Sequence, residues 1–131
     1  MTAAPAALTL LLLAAATPAP AADSRLRAPS ELPCSRDQLT SYSGTVTRWQ
    51  RGASGAVLSI HTDADTRETV RLRLASGEAL TARMRIDDAA FTAADWPRIE
   101  SRPGQLRPGV RATAWICGES TVARIDWAPA R

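Results

Sequence analysis

The chain has 131 residues, 16 basic side chains that are all arginine, 13 acidic ones, and a formal net charge of +3. So small an excess excludes a strongly basic polyelectrolyte, and an aromatic content of 5% is thin for a surface that stacks bases. Two cysteines and one histidine are too few to build a four-ligand metal site by themselves.

Leu8 to Ala16 is an uncharged apolar run. It is shorter than the roughly 20 residues that a membrane-spanning helix needs. Ala19-Pro20-Ala21 follows, a small-x-small pattern of the kind signal peptidase cuts. The pattern predicts a secretory signal peptide over 1–21, although no Lys or Arg precedes the apolar run. No cysteine stands at the cut, so no lipid anchor is expected there. No second long apolar run exists, so the mature protein is expected to lack a transmembrane segment. Export from a bacterial cytoplasm, to the periplasm or beyond, is the expected localisation.

Residues 22–41 are polar and proline-bearing and read as an extended leader, with a short helical turn in Ser35–Ser41. Cys34 lies in this leader and Cys117 lies late in the chain. In an oxidising compartment a disulfide between them is the expectation. The spacing is not the CxxC of a redox pair.

Tyr42–Arg51 reads as a first strand, and Gly44 within it signals a bulge or strong coiling. Gly52–Gly55 is a turn, and Ala56–Thr62 returns as a second strand with Leu58 and Ile60 on one face. Asp63–Glu68 is a polar turn. Thr69–Ala75 alternates most cleanly, with Val70, Leu72 and Leu74 inward. Leu80–Ile86 alternates again and is expected to be a further short strand or an extended connection. Phe91, Trp96 and Ile99 then fall near helical spacing, and Thr92 with Asp95 fits an N-terminal capping box. Pro97 limits that helix to a short one. Val110–Cys117 and Thr121–Ala128 alternate as strands, with Val110, Ala112, Ala114 and Ile116 fitting the core in the first, and Ala123, Ile125 and Trp127 on one face of the second.

Three strands, a helical interruption and two strands predict a mainly β protein, a single barrel domain over 42–131. The pattern matches the five-stranded Greek-key barrel of the OB-fold, with one short helix between strands three and four. A small antiparallel β-sandwich is the alternative. The phrase Leu106-Arg107-Pro108-Gly109-Val110-Arg111 resembles the lead-in to the fourth strand of many OB-fold proteins. Over about residues 42–128 the chain is similar to small exported OB-fold proteins of bacteria. That resemblance implies a module that binds ligands or partner proteins. The stretch 78–90 departs from the minimal pattern, as an added hairpin arm or a long third strand.

Arg71, Arg73, Arg83 and Arg85 fall on the polar beat of TVRLRLASGEALTARMRI. If those two segments pair, the four arginines share one face and can recognise an anion: an acidic glycan, a lipid head group or an acidic protein patch. Otherwise they are the wet side of a sheet, with Glu68, Glu78, Asp87 and Asp88 close by. Trp49, between Arg48 and Arg51, is expected to be exposed as a contact hot spot. Trp96, Trp115 and Trp127 are expected to fill the core or cover the disulfide. Asp63, Asp65 and Glu68 beside His61 supply oxygens, but the stretch lacks the glycine and acidic spacing of a calcium loop, so no metal is expected. No Gly-x-Ser-x-Gly elbow, Cys/His signature or P-loop occurs, so neither catalysis nor a cofactor is expected. The sequence therefore predicts a binding or assembly module for a protein or envelope partner, or else a polyanion binder. Nucleic acid is the less expected anion for an exported chain so poor in aromatics.

Overall fold

In chain order, the computed structural model, which describes residues 28–118 and 121–130, contains these strands: β1 Leu39–Gly52, β2 Gly55–Thr62, β3 Arg67–Arg73, β4 Met84–Ile86, β5 Ala89–Ala90, β6 Glu100–Arg102, β7 Gln105–Leu106, β8 Arg111–Cys117 and β9 Thr121–Ala128. One short helix, α1 (Trp96–Ile99), precedes β6. The expected signal peptide over 1–21 lies outside the described residues. β1 begins at Leu39, after a single 3-10 turn over Arg36–Gln38, so the last residues of the expected leader already belong to the barrel.

β1 is fourteen residues long and serves two neighbours. Its first half pairs antiparallel with β8 and its second half with β2. The two pairings overlap at Gly44 and Thr45, and Gly44 faces both Thr62 and Ala112. A Cβ at Gly44 would lie 2.0 Å from the His61 carbonyl oxygen. Only glycine lets the two backbones approach this closely, so the position is fixed by space, without any positive φ. Gly44→Ala is expected to cost about 1–3 kcal/mol, the range for overpacking. A urea midpoint unchanged from wild type would show that the strand slides aside freely.

β2 and β3 form a hairpin, β8 and β9 another, and β9 meets β3 in parallel at Arg71 and Thr121. That last contact closes β3-β2-β1-β8-β9 into a five-stranded barrel and disposes of the sandwich alternative. The architecture is the OB-like barrel with one short helix between its third and fourth strands. The helix is short for the expected reason. The Thr92 backbone N–H and hydroxyl both donate to Asp95 Oδ2, at 2.8 and 3.1 Å, at the start of the turn. Those bonds, the backbone one foremost, with help from Arg98, hold the Asp95 carboxyl below its usual value. Pro97 sits in the first turn of α1, where its missing N–H is no loss. Ile99, fully buried, plugs the barrel from this end. The Leu106–Arg111 phrase then leads into β8, with Gly109 at a φ of +77° and Val110 fully buried.

One open expectation is decided and two are corrected. First, of the two readings of 78–90, the added hairpin arm holds and the long third strand does not. Leu80–Arg83 is a 3-10 turn, and β4 lies parallel to β9 rather than beside β3. With β5 it forms a hairpin arm whose turn residues, Asp87 and Asp88, both have positive φ. Second, Ala123 is buried but stands outside the core cluster. A bulge opposite Trp115 and Ile116 makes Ala123 the extra residue, so Val122, Ile125 and Trp127 fill the core instead. Third, Trp49 is not exposed; it is 4% accessible. A bulge between Val46 and Arg48 changes the alternation, turning Trp49 inward and Arg48 outward. Trp115 is buried too, yet stands apart from the core cluster, its Nε1 donating to Asp126 Oδ2 at 3.0 Å.

The Cys34–Cys117 disulfide is present, with Cα atoms 5.7 Å apart. Such bonds persist in oxidising, non-cytoplasmic compartments. No helix among the described residues is long and apolar enough to cross a membrane.

Candidate functional site

The outer face of the β1-β2-β3 ladder is built by alternation. Val46, Trp49, Leu58, Ile60, Val70 and Leu72 point inward and are buried. Their neighbours therefore face solvent. Register sets Arg67 beside His61, Arg71 beside Val57, Arg73 beside Gly55, and Arg48 beside Ser59. Arg48, Arg67, Arg71 and Arg73 are all exposed. Among the described residues none of the four pairs with a carboxylate; Arg48 Nη2 donates to Gln50 Oε1 at 3.2 Å. Arg71 and Arg73, two residues apart on one strand face, are separated by about 6.6–6.8 Å along the backbone.

This is a cationic sheet face, but not the one expected. Arg71 and Arg73 belong to it. Arg83 and Arg85 do not, because the segment that carries them packs along β9. Arg83 Nη1 donates to the carbonyl oxygens of Val122 and Ala123, at 3.4 and 3.2 Å, and Arg83 Nε lies 2.9 Å from Glu78 Oε1. It thus caps the bulge in β9. Arg85 Nη2 donates to the Asp88 carbonyl in the turn of the hairpin arm. Arg48 and Arg67 were not among the expected site residues. Arg67 could have been found by extending the β3 alternation back by one step through Thr69. Arg48 could not, since the bulge at Thr47 shifts it across the sheet.

Trp49 has a different task. Its Nε1 donates to Glu100 Oε2 at 2.8 Å. Arg51 Nη2 donates to Glu100 Oε1 at 2.8 Å and Arg51 Nε to Oε2 at 2.9 Å. The Gly104 N–H adds a fourth donor at 3.0 Å. The Arg51 guanidinium also lies over the Trp96 ring, 4.0 Å from its centroid. Burial pushes the Glu100 carboxyl up, but the bonds from Arg51, Trp49 and Gly104 outweigh it, and its pKa lies below the ordinary 4.5. Both carboxylate oxygens of Glu100 accept hydrogen bonds. The cluster locks the α1–β6 segment to β1.

At the acidic hairpin tip the side chains are likewise engaged with one another. His61 Nε2 lies 2.8 Å from Asp65 Oδ1, and Arg111 Nη2 donates to both oxygens of Asp63 at 2.7 Å. Among the described residues no group of three His, Cys, Asp or Glu side chains is placed to hold a metal ion.

Comparison with protein-family models, with curated proteins and with solved structures finds no match to this chain.

Proposed function

We propose that the protein is an exported, non-catalytic binding module that engages an anionic envelope partner through the outer face of β1, β2 and β3. One observation carries the reading: Arg48, Arg67, Arg71 and Arg73 share that face and, among the described residues, no carboxylate neutralises them. Like charges on one face repel each other, Arg71 and Arg73 most, and a partner with repeated negative charges removes that repulsion. Arginine suits the task because its planar fork binds sulfate, phosphate and carboxylate oxygens in pairs. An acidic glycan is the favoured partner. Nucleic acid fits less well, because Trp49 is buried and the face offers no Trp, Tyr or Phe on which a base could stack. The disulfide supports export. Both cysteines are spent in it and the single histidine faces a hairpin carboxylate, which supports a binding rather than a catalytic role.

Binding of a sulfated glycan to the mature protein should fall steeply with salt. Four released counterions correspond to a log–log slope of about −3, by analogy with phosphate polymers. Replacing Arg48, Arg67, Arg71 and Arg73 together by Gln should abolish most of that affinity without changing the thermal midpoint. Arg85→Gln should leave affinity intact. If the fourfold variant binds as well as wild type, the face is only a solvated one. A lipid head group and an acidic protein are the other arms of the same titration.

A further inference from the structure

We propose that a cleft at the rim of this face binds a phosphate ester that carries a primary ammonium group, of the phosphoethanolamine type. The inference rests on the reading above and names the chemical group that the site selects.

The cleft has a volume of about 470 Å³ and lies at the mouth of the barrel, beside the seam where β3 meets the start of β9. Its walls carry Thr40, Tyr42, Glu68, Arg71, Arg73 and Thr121 above a floor of Val70 and Ile116. Register explains the mixture. Thr40 and Tyr42 stand opposite Ile116 and Ala114, both buried, and so lie on the inward side of β1. Glu68 stands opposite the fully buried Ile60 and lies on the inward side of β3. Arg71 and Arg73 lie on its outward side. Among the described residues β3 and β9 share the single Arg71–Thr121 pairing, and Glu68, Thr69 and Val70 line the cleft beside it.

The two signs of charge are therefore both present and kept apart. Glu68 and Arg71, three residues apart on a strand, point to opposite faces. Among the described residues, neither Glu68 nor the two arginines makes an ion pair. A simple anion would meet the arginines but also the half-buried Glu68 carboxylate, which repels it. A simple cation would meet the reverse. A ligand with both charges satisfies both ends. Two arginines spaced along one strand face suit a tetrahedral phosphate, whose several oxygens can be shared between two guanidinium forks better than a single carboxylate can. At the other end a primary ammonium offers three donors. Glu68, the Tyr42 ring and the threonine hydroxyls surround it with a carboxylate, a π face and oxygen acceptors.

The test is calorimetric titration of the mature protein at constant ionic strength with O-phosphoethanolamine, inorganic phosphate and ethanolamine. The ester should bind at least about tenfold more tightly than either fragment, because its two ends are held by opposite charges in one site. Glu68→Gln should reduce the ester to the affinity of phosphate, and Arg71→Gln with Arg73→Gln should remove both. All three side chains are at least partly exposed, and an unchanged thermal midpoint reports that each variant is folded. An ester bound no better than phosphate, or unaffected by Glu68→Gln, overturns the proposal. The sulfated-glycan titration in the same samples separates the two failures. Glycan binding without ester preference removes this inference alone, whereas loss of both removes the reading on which it rests. Vesicles of phosphatidylglycerol with and without phosphatidylethanolamine locate the group. An added affinity that Glu68→Gln removes places it on a lipid. No such gain, with the soluble preference intact, places it on a soluble or polymeric ester.

Discussion

Replacing Cys34 and Cys117 together by alanine is expected to remove about 4–5 kcal/mol of folding free energy, the chain-entropy value for a loop of this size. The bond joins residues 83 positions apart, so in the unfolded chain it closes a loop that spans nearly the whole barrel. In the folded protein it lies at the end of the β1–β8 ladder. Leu39 faces Cys117 there, and the Gly118 N–H donates to the Gln38 carbonyl at 2.9 Å. At roughly 4–8 °C per kcal/mol for a domain of this size, the thermal midpoint should fall by about 20 °C or more. That loss is comparable to the entire stability of many small domains, about 5–15 kcal/mol. Thermal and urea unfolding of the wild-type protein and the double variant measure it. A midpoint within a few degrees of wild type would mean that the β1–β8 ladder holds without the bond. Because only the unfolded state need change, the double variant should retain the arginine face wherever it remains folded.

Glu100→Gln is expected to cost about 3 kcal/mol, the lower end of the range for removing one partner of a buried ion pair. The lower end applies because the Arg51 side chain is 28% exposed, while that of Glu100 is only 3% exposed. The neutral amide weakens the acceptor for Arg51, Trp49 and Gly104 at once, and turns a donor toward groups that are themselves donors. The Arg51 guanidinium is left over Trp96 without its counter-charge. The same cluster sets an acid limb. The Glu100 pKa is depressed on folding, so its contribution is complete above 4.5 and is lost as pH falls through the lower folded value. Asp95 is depressed as well, through Thr92 foremost, and adds in the same direction. Urea midpoints measured downward from neutral pH should decline in wild type, and decline less in Glu100→Gln. Equal midpoints and parallel acid limbs in the two proteins would show that the cluster contributes nothing to holding α1 and β6 against the barrel.

Much of the barrel was legible because period and punctuation agree. β2 and β3 alternate without interruption, glycine and aspartate turns separate them, and the Thr92–Asp95 pair with Pro97 marks a short helix. The two cysteines, with an apolar run and a cut pattern ahead of them, pointed to a disulfide, and it is present. Arg71 and Arg73 were readable as outward residues for the same reason: nothing breaks the alternation between Val70 and Arg73.

What misled the sequence reading was local and physical. A β-bulge adds one residue without leaving a compositional mark, and each one exchanges inside for outside along the rest of its strand. The bulge at Thr47 turned Trp49 from a surface anchor into a buried donor to Glu100, and brought Arg48 onto the cationic face. The bulge at Ala123 brought Val122 into the core cluster and left Ala123 buried outside it. Arg83 and Arg85 kept the right spacing but joined the wrong neighbour, because parallel pairing with β9 depends on chain closure and not on local pattern. The sequence by itself determined most element types, the turns and the polarity of uninterrupted strands, which depend on residues near one another in the chain, and the disulfide, because two cysteines allow a single pairing. The tertiary structure alone decided which four arginines share a face, and that Glu68 meets Tyr42 at one cleft, because strand register and barrel closure are set by contacts between residues far apart in sequence.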